Sequence, residues 1–167
     1  AIRALMKKDD ARALRDTVLW LGLMVGFAGI GIALWPSLWS LPFWLAYGVL
    51  YGSASDSRWH ECGHRTAFEA GWMNEIVYHI ASFMLMRNPY VWRASHVRHH
   101  TDTIIVGRDP EIVAMRPPDL MRLGLNLFGL IDLWVLGKRM VLHASGHLHP
   151  EEETYVRDQD RTKVFMV

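Results

Sequence analysis

Residues 17–55 read TVLWLGLMVGFAGIGIALWPSLWSLPFWLAYGVLYGSAS, a run of 39 positions without one charged side chain. A single helix of that length, at about 1.5 Å per residue, would far exceed a bilayer core of about 30 Å. Two helices joined by a tight turn fit better. Pro36 and Pro42 are the breakers, with Ser37 and Ser40 between them. The run predicts a transmembrane hairpin, with helix one over Thr17–Trp35 and helix two from Leu41 to Ser55. The second is short for a span, so it is expected to run on toward His60. Trp35 and Trp39 fall at the turn, where interfacial tryptophans belong. A buried hairpin in a soluble helical protein is the competing reading, but the run is too long and too rich in tryptophan for most soluble cores.

The flanks orient the hairpin. Arg3, Lys7, Lys8, Arg12 and Arg15 precede it, the turn has no charge, and Arg58 and Arg65 follow it. Positive residues stay cytoplasmic, so both ends of the hairpin should face the cytoplasm. Residues 1–16 read as a basic, amphipathic lead-in helix at the membrane surface.

At 167 residues one domain is expected. The formal net charge of +1 gives no reason to expect a nucleic-acid partner. Cys62 is the one cysteine, which excludes an internal disulfide. No signal-peptide cleavage pattern opens the chain.

Two histidine clusters follow the hairpin. His60-Glu61-Cys62-Gly63-His64 is the first and His96-Val97-Arg98-His99-His100 the second; together they hold five of the nine histidines. On a helix, residues three and four apart share a face. His60 and His64 therefore point the same way, and His96, His99 and His100 converge on one side of another helix. Imidazole is the commonest metal-binding side chain. Five imidazoles exceed the four ligands of a tetrahedral zinc and fall short of filling two octahedral ions. The count favours a two-metal centre whose ligand set is incomplete in this chain.

The first cluster alone leaves two readings open. It matches H-E-x-x-H, in which two histidines hold zinc and the glutamate activates water, the signature of a zinc metalloprotease. It also fits a looser H-x-x-x-H box. The H-x-x-H-H triplet separates them, because a protease needs one more ligand and not three. A decayed, non-enzymatic metal-binding or scaffold subunit is a third class.

The stretch His60–His64 followed by Asn88-Pro89-Tyr90-Val91-Trp92-Arg93-Ala94-Ser95-His96-Val97-Arg98-His99-His100-Thr101 resembles the membrane fatty acid desaturase superfamily, over roughly residues 15–115. That superfamily includes alkyl-chain hydroxylases. The resemblance implies an all-α membrane protein with four membrane helices and a cytoplasmic cap. It implies two iron ions held by His60, His64, His96, His99 and His100, with O2 and an external ferredoxin- or cytochrome b5-type electron donor. The implied reaction puts a double bond into the acyl chain of a lipid substrate, with hydroxylation as the alternative outcome. On that reading Glu61 and Asp102 are candidates to orient imidazole N–H bonds. Trp59, Trp72 and Trp92 line a hydrocarbon groove or, more simply, pack at the interface.

The chain departs from that pattern in one respect. The resemblance calls for a second hairpin and a third box, and neither is found. His143, His147 and His149 form a loose cluster with the wrong spacing, better read as a helix end where histidines meet the dipole. The third box is expected beyond residue 167, which would make these residues the truncated, inactive first half of a site. The rest reads as cytoplasmic or interfacial helices over residues 56–150. One or two helices are expected within Ala67–Met86, one from Tyr90 to His100 with Pro89 in its first turn, a loop over Gly107–Glu111, and one helix from Leu120 to His143 capped by Asp119. Residues 151–167 read as a polar, solvated tail.

Overall fold

In a computed structural model, residues 7–53, 58–112 and 117–167 are described. These residues form helices and turns, with no strand among them. The chain divides into two compact units, Ala1–Leu85 and Met86–Val167.

The first unit opens with α1, Asp10–Ala33, the one described helix that is long and apolar enough by itself to cross a membrane. It starts earlier than the charge pattern suggests. Asp9 caps it, accepting from the Ala11 and Arg12 N–H groups at 3.0 and 3.2 Å, and no proline or glycine separates Asp10 from Thr17. The basic lead-in and the apolar segment are thus one continuous helix from Asp10; the lead-in's first six residues lie outside the described ones.

The turn falls where the prolines place it. It holds a cis Trp35–Pro36 peptide and a short 3₁₀ turn at Leu38–Ser40, with the Ser37 hydroxyl capping Trp39 N–H. Helix α2, Leu41–Gly52, begins with Pro42 in its first turn, where the missing N–H is harmless. Twelve residues span about 18 Å, too short to cross alone. The expected continuation toward His60 falls on residues 54–57, outside the described ones.

The two helices of the hairpin are tied by aromatic contacts. Trp20 and Met24 are buried against Tyr47, Leu50 and Tyr51. The Trp20 indole N–H donates to the Leu50 carbonyl at 2.9 Å, in the last turn of α2, where the Ser53 hydroxyl donates to the same oxygen at 2.7 Å. Gly31 packs directly under Trp44: a Cβ there would lie 2.9 Å from Trp44 Cε2. Gly31→Ala should therefore destabilise the hairpin by about 1–3 kcal/mol, as overpacking does. Gly29→Ala, with open space around it, should be neutral or slightly stabilising. Thermal unfolding in detergent reads both; equal midpoints for the two variants would contradict this packing.

After the hairpin come α3, His60–Gly63, and α4, Gly71–Met84. The connection between them is pinned from two sides. Asp10 accepts from the N–H groups of Glu69 and Ala70, and the Asn74 amide both accepts from Phe68 N–H and donates to Phe68 C=O.

The second unit starts with α5, Pro89–Asp102. Asn88 caps it, accepting from Tyr90 and Val91 N–H, and donates to the Val164 carbonyl at 2.8 Å. Asp119 does cap the next helix, but one helix over Leu120–His143 does not form. Gly129, at φ +68°, breaks it into α6, Leu120–Leu127, and α7, Leu130–Ala144, bent by 79°. The pair is apolar enough to count as one broken span and is largely exposed, with Leu127, Phe128 and Trp134 at 81%, 78% and 75%.

The tail is not a solvated strand of charge. It forms a 3₁₀ turn at Glu152–Thr154 and α8, Asp158–Phe165. Val156 and Val164 are buried with Val91 and Leu148, so the tail completes the small core on which α5 rests.

Candidate metal centre

In the first unit the box is a single helical turn. Arg58 and Trp59 lead into it through a wider helical turn. Trp59 is buried and donates its indole N–H to Ser82 Oγ at 3.1 Å. Cys62, fully buried, sits on the same inner side. Burial, with Glu61 adding to it, pushes its thiol up to about 12, so at neutral pH Cys62 is an uncharged packing group and not a thiolate ligand. Four residues apart, His60 and His64 share a face, with ring centroids 4.7 Å apart. Glu61 is exposed, and among the described residues its carboxylate bonds to neither ring; its backbone carbonyl accepts from Thr66.

In the second unit α5 carries the triplet on one face, from buried His96 to exposed His100. Trp92, Ser95 and His96 are buried, spaced three and four apart. Trp92 stacks on His96 with centroids 4.3 Å apart and planes 19° from parallel, which fixes the plane of the imidazole. His99 and His100 lie beside it, with centroids 5.7 and 4.7 Å from that of His96.

The loop after α5 turns back onto these rings. Asp109 places both carboxylate oxygens 3.0 Å from His99 Nδ1. Glu111 places its oxygens 3.0 and 3.2 Å from His96 Nδ1 and receives Ser95 Oγ at 3.2 Å. Burial alone would raise the Asp109 carboxyl. The N–H groups of Glu111 and Ile104 and the His99 ring outweigh it and hold the group at about 2. A carboxylate only accepts, so Nδ1 carries a proton in both rings, and in the neutral ring Nε2 is then the nitrogen with the lone pair.

That donor set suits a metal ion. The Nε2 atoms of His96 and His100 are 3.2 Å apart, a separation two imidazoles can have while sharing one ion at about 2.1 Å from each nitrogen. His60, His64, His96 and His100 can each offer a ring nitrogen to a metal.

The other candidates are placed differently. Asp102 is buried and touches no imidazole; it accepts from Arg98 at 2.8 Å and from Arg108 at 2.9 Å. His143 is buried and paired with Glu152 at 2.7 Å, while His147 is exposed. His79 is half-buried, edge-on to Tyr78. Trp72 is 65% exposed, as an interfacial side chain would be. In the first unit a cleft of about 980 Å³ lies beside the box. It is lined by charges of both signs, among them Lys8, Asp10, Arg12 and Glu61, and so does not suit a hydrocarbon chain. Asp109 and Glu111 are the residues that sequence reasoning missed. The available signal was two carboxylates, one on each side of Pro110, in a short loop soon after the box.

Described residues that are all helix and turn, with two histidine pairs at i, i+4 and carboxylates on Nδ1 of His96 and His99, have the arrangement of a histidine-box protein, whose imidazoles could hold a metal. The comparisons carry this further: the family model described as fatty acid desaturase matches residues 33–164. The chain belongs to the fatty acid desaturase family. It is 33% identical over 85 residues to a soybean (Glycine max) endoplasmic-reticulum omega-6 fatty acid desaturase, covering 49% of this chain and 22% of that one. It is 32% identical over 99 residues to a Synechocystis sn-1 oleoyl-lipid 12-desaturase, covering 58% and 27%. A Nostoc sn-1 acyl-lipid omega-3 desaturase (ferredoxin) is 30% identical over 67 residues, covering 40% and 18%. The chain thus spans only about a fifth to a quarter of the length of these relatives. No solved structure matches.

Proposed function

We propose that this chain supplies the first two histidine boxes of an O2-dependent, di-iron membrane oxidoreductase that introduces a double bond into the acyl chain of a lipid. The observation that carries the reading is the pairing of His96 and His99 with Glu111 and Asp109 through Nδ1, which makes Nε2 the nitrogen that each neutral ring would offer to a metal. Family membership supports it, as does the second box, which a zinc metalloprotease built on His60-Glu61-Cys62-Gly63-His64 would not need.

Desaturation removes a hydrogen from each of two adjacent methylenes. With two donor electrons and two protons, O2 becomes two waters. Breaking an unactivated C–H bond needs an oxidant stronger than any side chain, and iron with O2 provides it. The protein's part is to hold and orient. Neutral imidazoles bind without cancelling the charge of the ion. His60, His64, His96, His99 and His100 take that role, and the Trp92 ring and the two carboxylates keep the second box in place. Five imidazoles do not complete two ions; the remaining positions fall to water or to further histidines. The hairpin of α1 and α2 would hold the first box at the cytoplasmic membrane surface, where a ferredoxin- or cytochrome b5-type donor has access.

The whole protein, expressed in a host without endogenous desaturation, is expected to yield lipids with a new double bond and to purify with iron. A new hydroxyl in place of the alkene would make it a hydroxylase of the same class. Bound zinc, with proteolysis lost on Glu61→Gln, would overturn the assignment in favour of a protease.

A further inference from the structure

The Ile104–Glu111 loop closes back on the second box in a way that neither family membership nor the histidine spacing explains. Its two carboxylates turn back to the helix: Asp109, buried, meets His99, and Glu111, partly exposed, meets His96. The loop is held there by several contacts. Asp109 accepts from its own loop, from Ile104 N–H and Glu111 N–H, both at 2.9 Å. Gly107, at φ +79°, allows the reversal. Asp102, at the end of α5, binds Arg98 on the helix and Arg108 on the loop, latching one to the other.

We infer that this loop is a carboxylate clamp in which Asp109 and Glu111 are positioning residues, fixing His99 and His96 as the Nδ1–H tautomers so that both present Nε2 to a metal before it arrives. The inference rests on the reading of these histidines as ligands. His100 supplies the contrast. Its Nε2 lies 3.2 Å from His96 Nε2, and with the His96 proton on Nδ1, the bond between them requires the proton of His100 to be on Nε2. His100 must move that proton to bind, whereas His96 and His99 need not. Asp102 acts one step further back: it touches no ring, and by holding Arg108 it keeps the loop closed. A neutral carboxamide at position 109 or 111 can donate as readily as accept and carries no charge to hold the ring, so it no longer selects the Nδ1–H tautomer.

The test uses the full chain, purified metal-free in detergent, with Co²⁺ alone as the probe. Nitrogen-15 NMR of the histidine-labelled wild-type chain should show His96 and His99 protonated at Nδ1, a readout that depends on neither metal nor any variant. Asp109→Asn and Glu111→Gln should each weaken Co²⁺ binding by about 10- to 100-fold; Glu111→Gln, the more exposed of the two, should keep the unfolding midpoint of the metal-free chain close to wild type. Protonation of His96 and His99 at Nε2 would overturn the inference. So would wild-type Co²⁺ affinity in both carboxamide variants, with binding lost in His96→Ala and His99→Ala; that result would leave the ligand reading standing. Wild-type affinity in the two alanine variants would remove the ligand reading itself, and the clamp with it.

Discussion

His100→Ala is expected to abolish metal loading and any lipid oxidation while leaving the fold intact. His100 is exposed, and the side chains that hold α5 in its unit are others: Val91 in the core and Asn88 at the cap. An exposed substitution away from caps and cores usually changes stability by no more than about 0.5 kcal/mol. Loss of function can then be assigned to the missing nitrogen. The magnitude is bounded from below. Outer partners of metal ligands cost about 10- to 100-fold in affinity or activity when removed, so a ligand itself should cost at least about a hundredfold. Iron per chain, measured after mild purification, should fall in step with the new alkene in the lipids. His147→Ala is the control, an exposed histidine of the same unit with no box geometry, and it should load as wild type. If His100→Ala binds iron as tightly as the parent, the second box is not a metal site, and the proposed chemistry goes with it.

How much of this could be read from residues alone varies by element, for physical reasons. The pair of apolar helices was legible because 39 uncharged positions interrupted by two prolines permit little besides two helices and a turn. The start of α1 was not, since charge pattern and helix continuity are separate properties: Asp9 is a good cap, and nothing between Asp10 and Thr17 stops a helix. Helix α5 was legible from Asn88-Pro89, cap followed by first turn. The bend at Gly129 was hidden because the apolar positions at Leu123, Leu127, Leu130 and Trp134 keep helical spacing straight through it.

The site shows the same division. Ring spacing within a box is set by helix geometry, so the His60–His64 and His96–His99–His100 groupings could be read directly. Which carboxylate meets which ring depends on how a loop folds back. Asp102 stood two residues from His100 and drew attention, yet Arg98 one turn earlier already satisfies it. Asp109 and Glu111, farther off, reach the rings. In the tail, Glu151-Glu152-Glu153 reads as solvated charge because charge runs normally are; its partners, Arg139 and His143, come from the preceding helix.

Glu152 is expected to carry the largest single contribution to the stability of the second unit. Its side chain is fully buried. One oxygen receives the Arg139 guanidinium at 3.2 Å. The other receives His143 Nε2 at 2.7 Å and the His149 N–H at 2.9 Å. Removing one member of a buried charged network leaves the others uncompensated, which typically costs about 3–5 kcal/mol. Glu152→Ala should therefore lower the unfolding free energy by about that much, a large share of a domain's usual margin of about 5–15 kcal/mol. Glu152→Gln keeps the shape and should lose less. The pH dependence gives a second signature. Burial alone would raise the Glu152 carboxyl, but the His143, His149 N–H and Arg139 contacts outweigh it and leave the group below its ordinary value of 4.5. A depressed carboxyl contributes stability that is fully present above its unfolded value and is lost as pH falls through the folded one. The gap in stability between wild type and Glu152→Gln should accordingly be constant from neutral pH down to about 5 and then shrink as the solution is acidified further. Urea unfolding of the two chains across that range is the measurement. A gap that stays unchanged below pH 4, or a Glu152→Ala variant within about 0.5 kcal/mol of the parent, would show that the buried network does not hold the tail against α7.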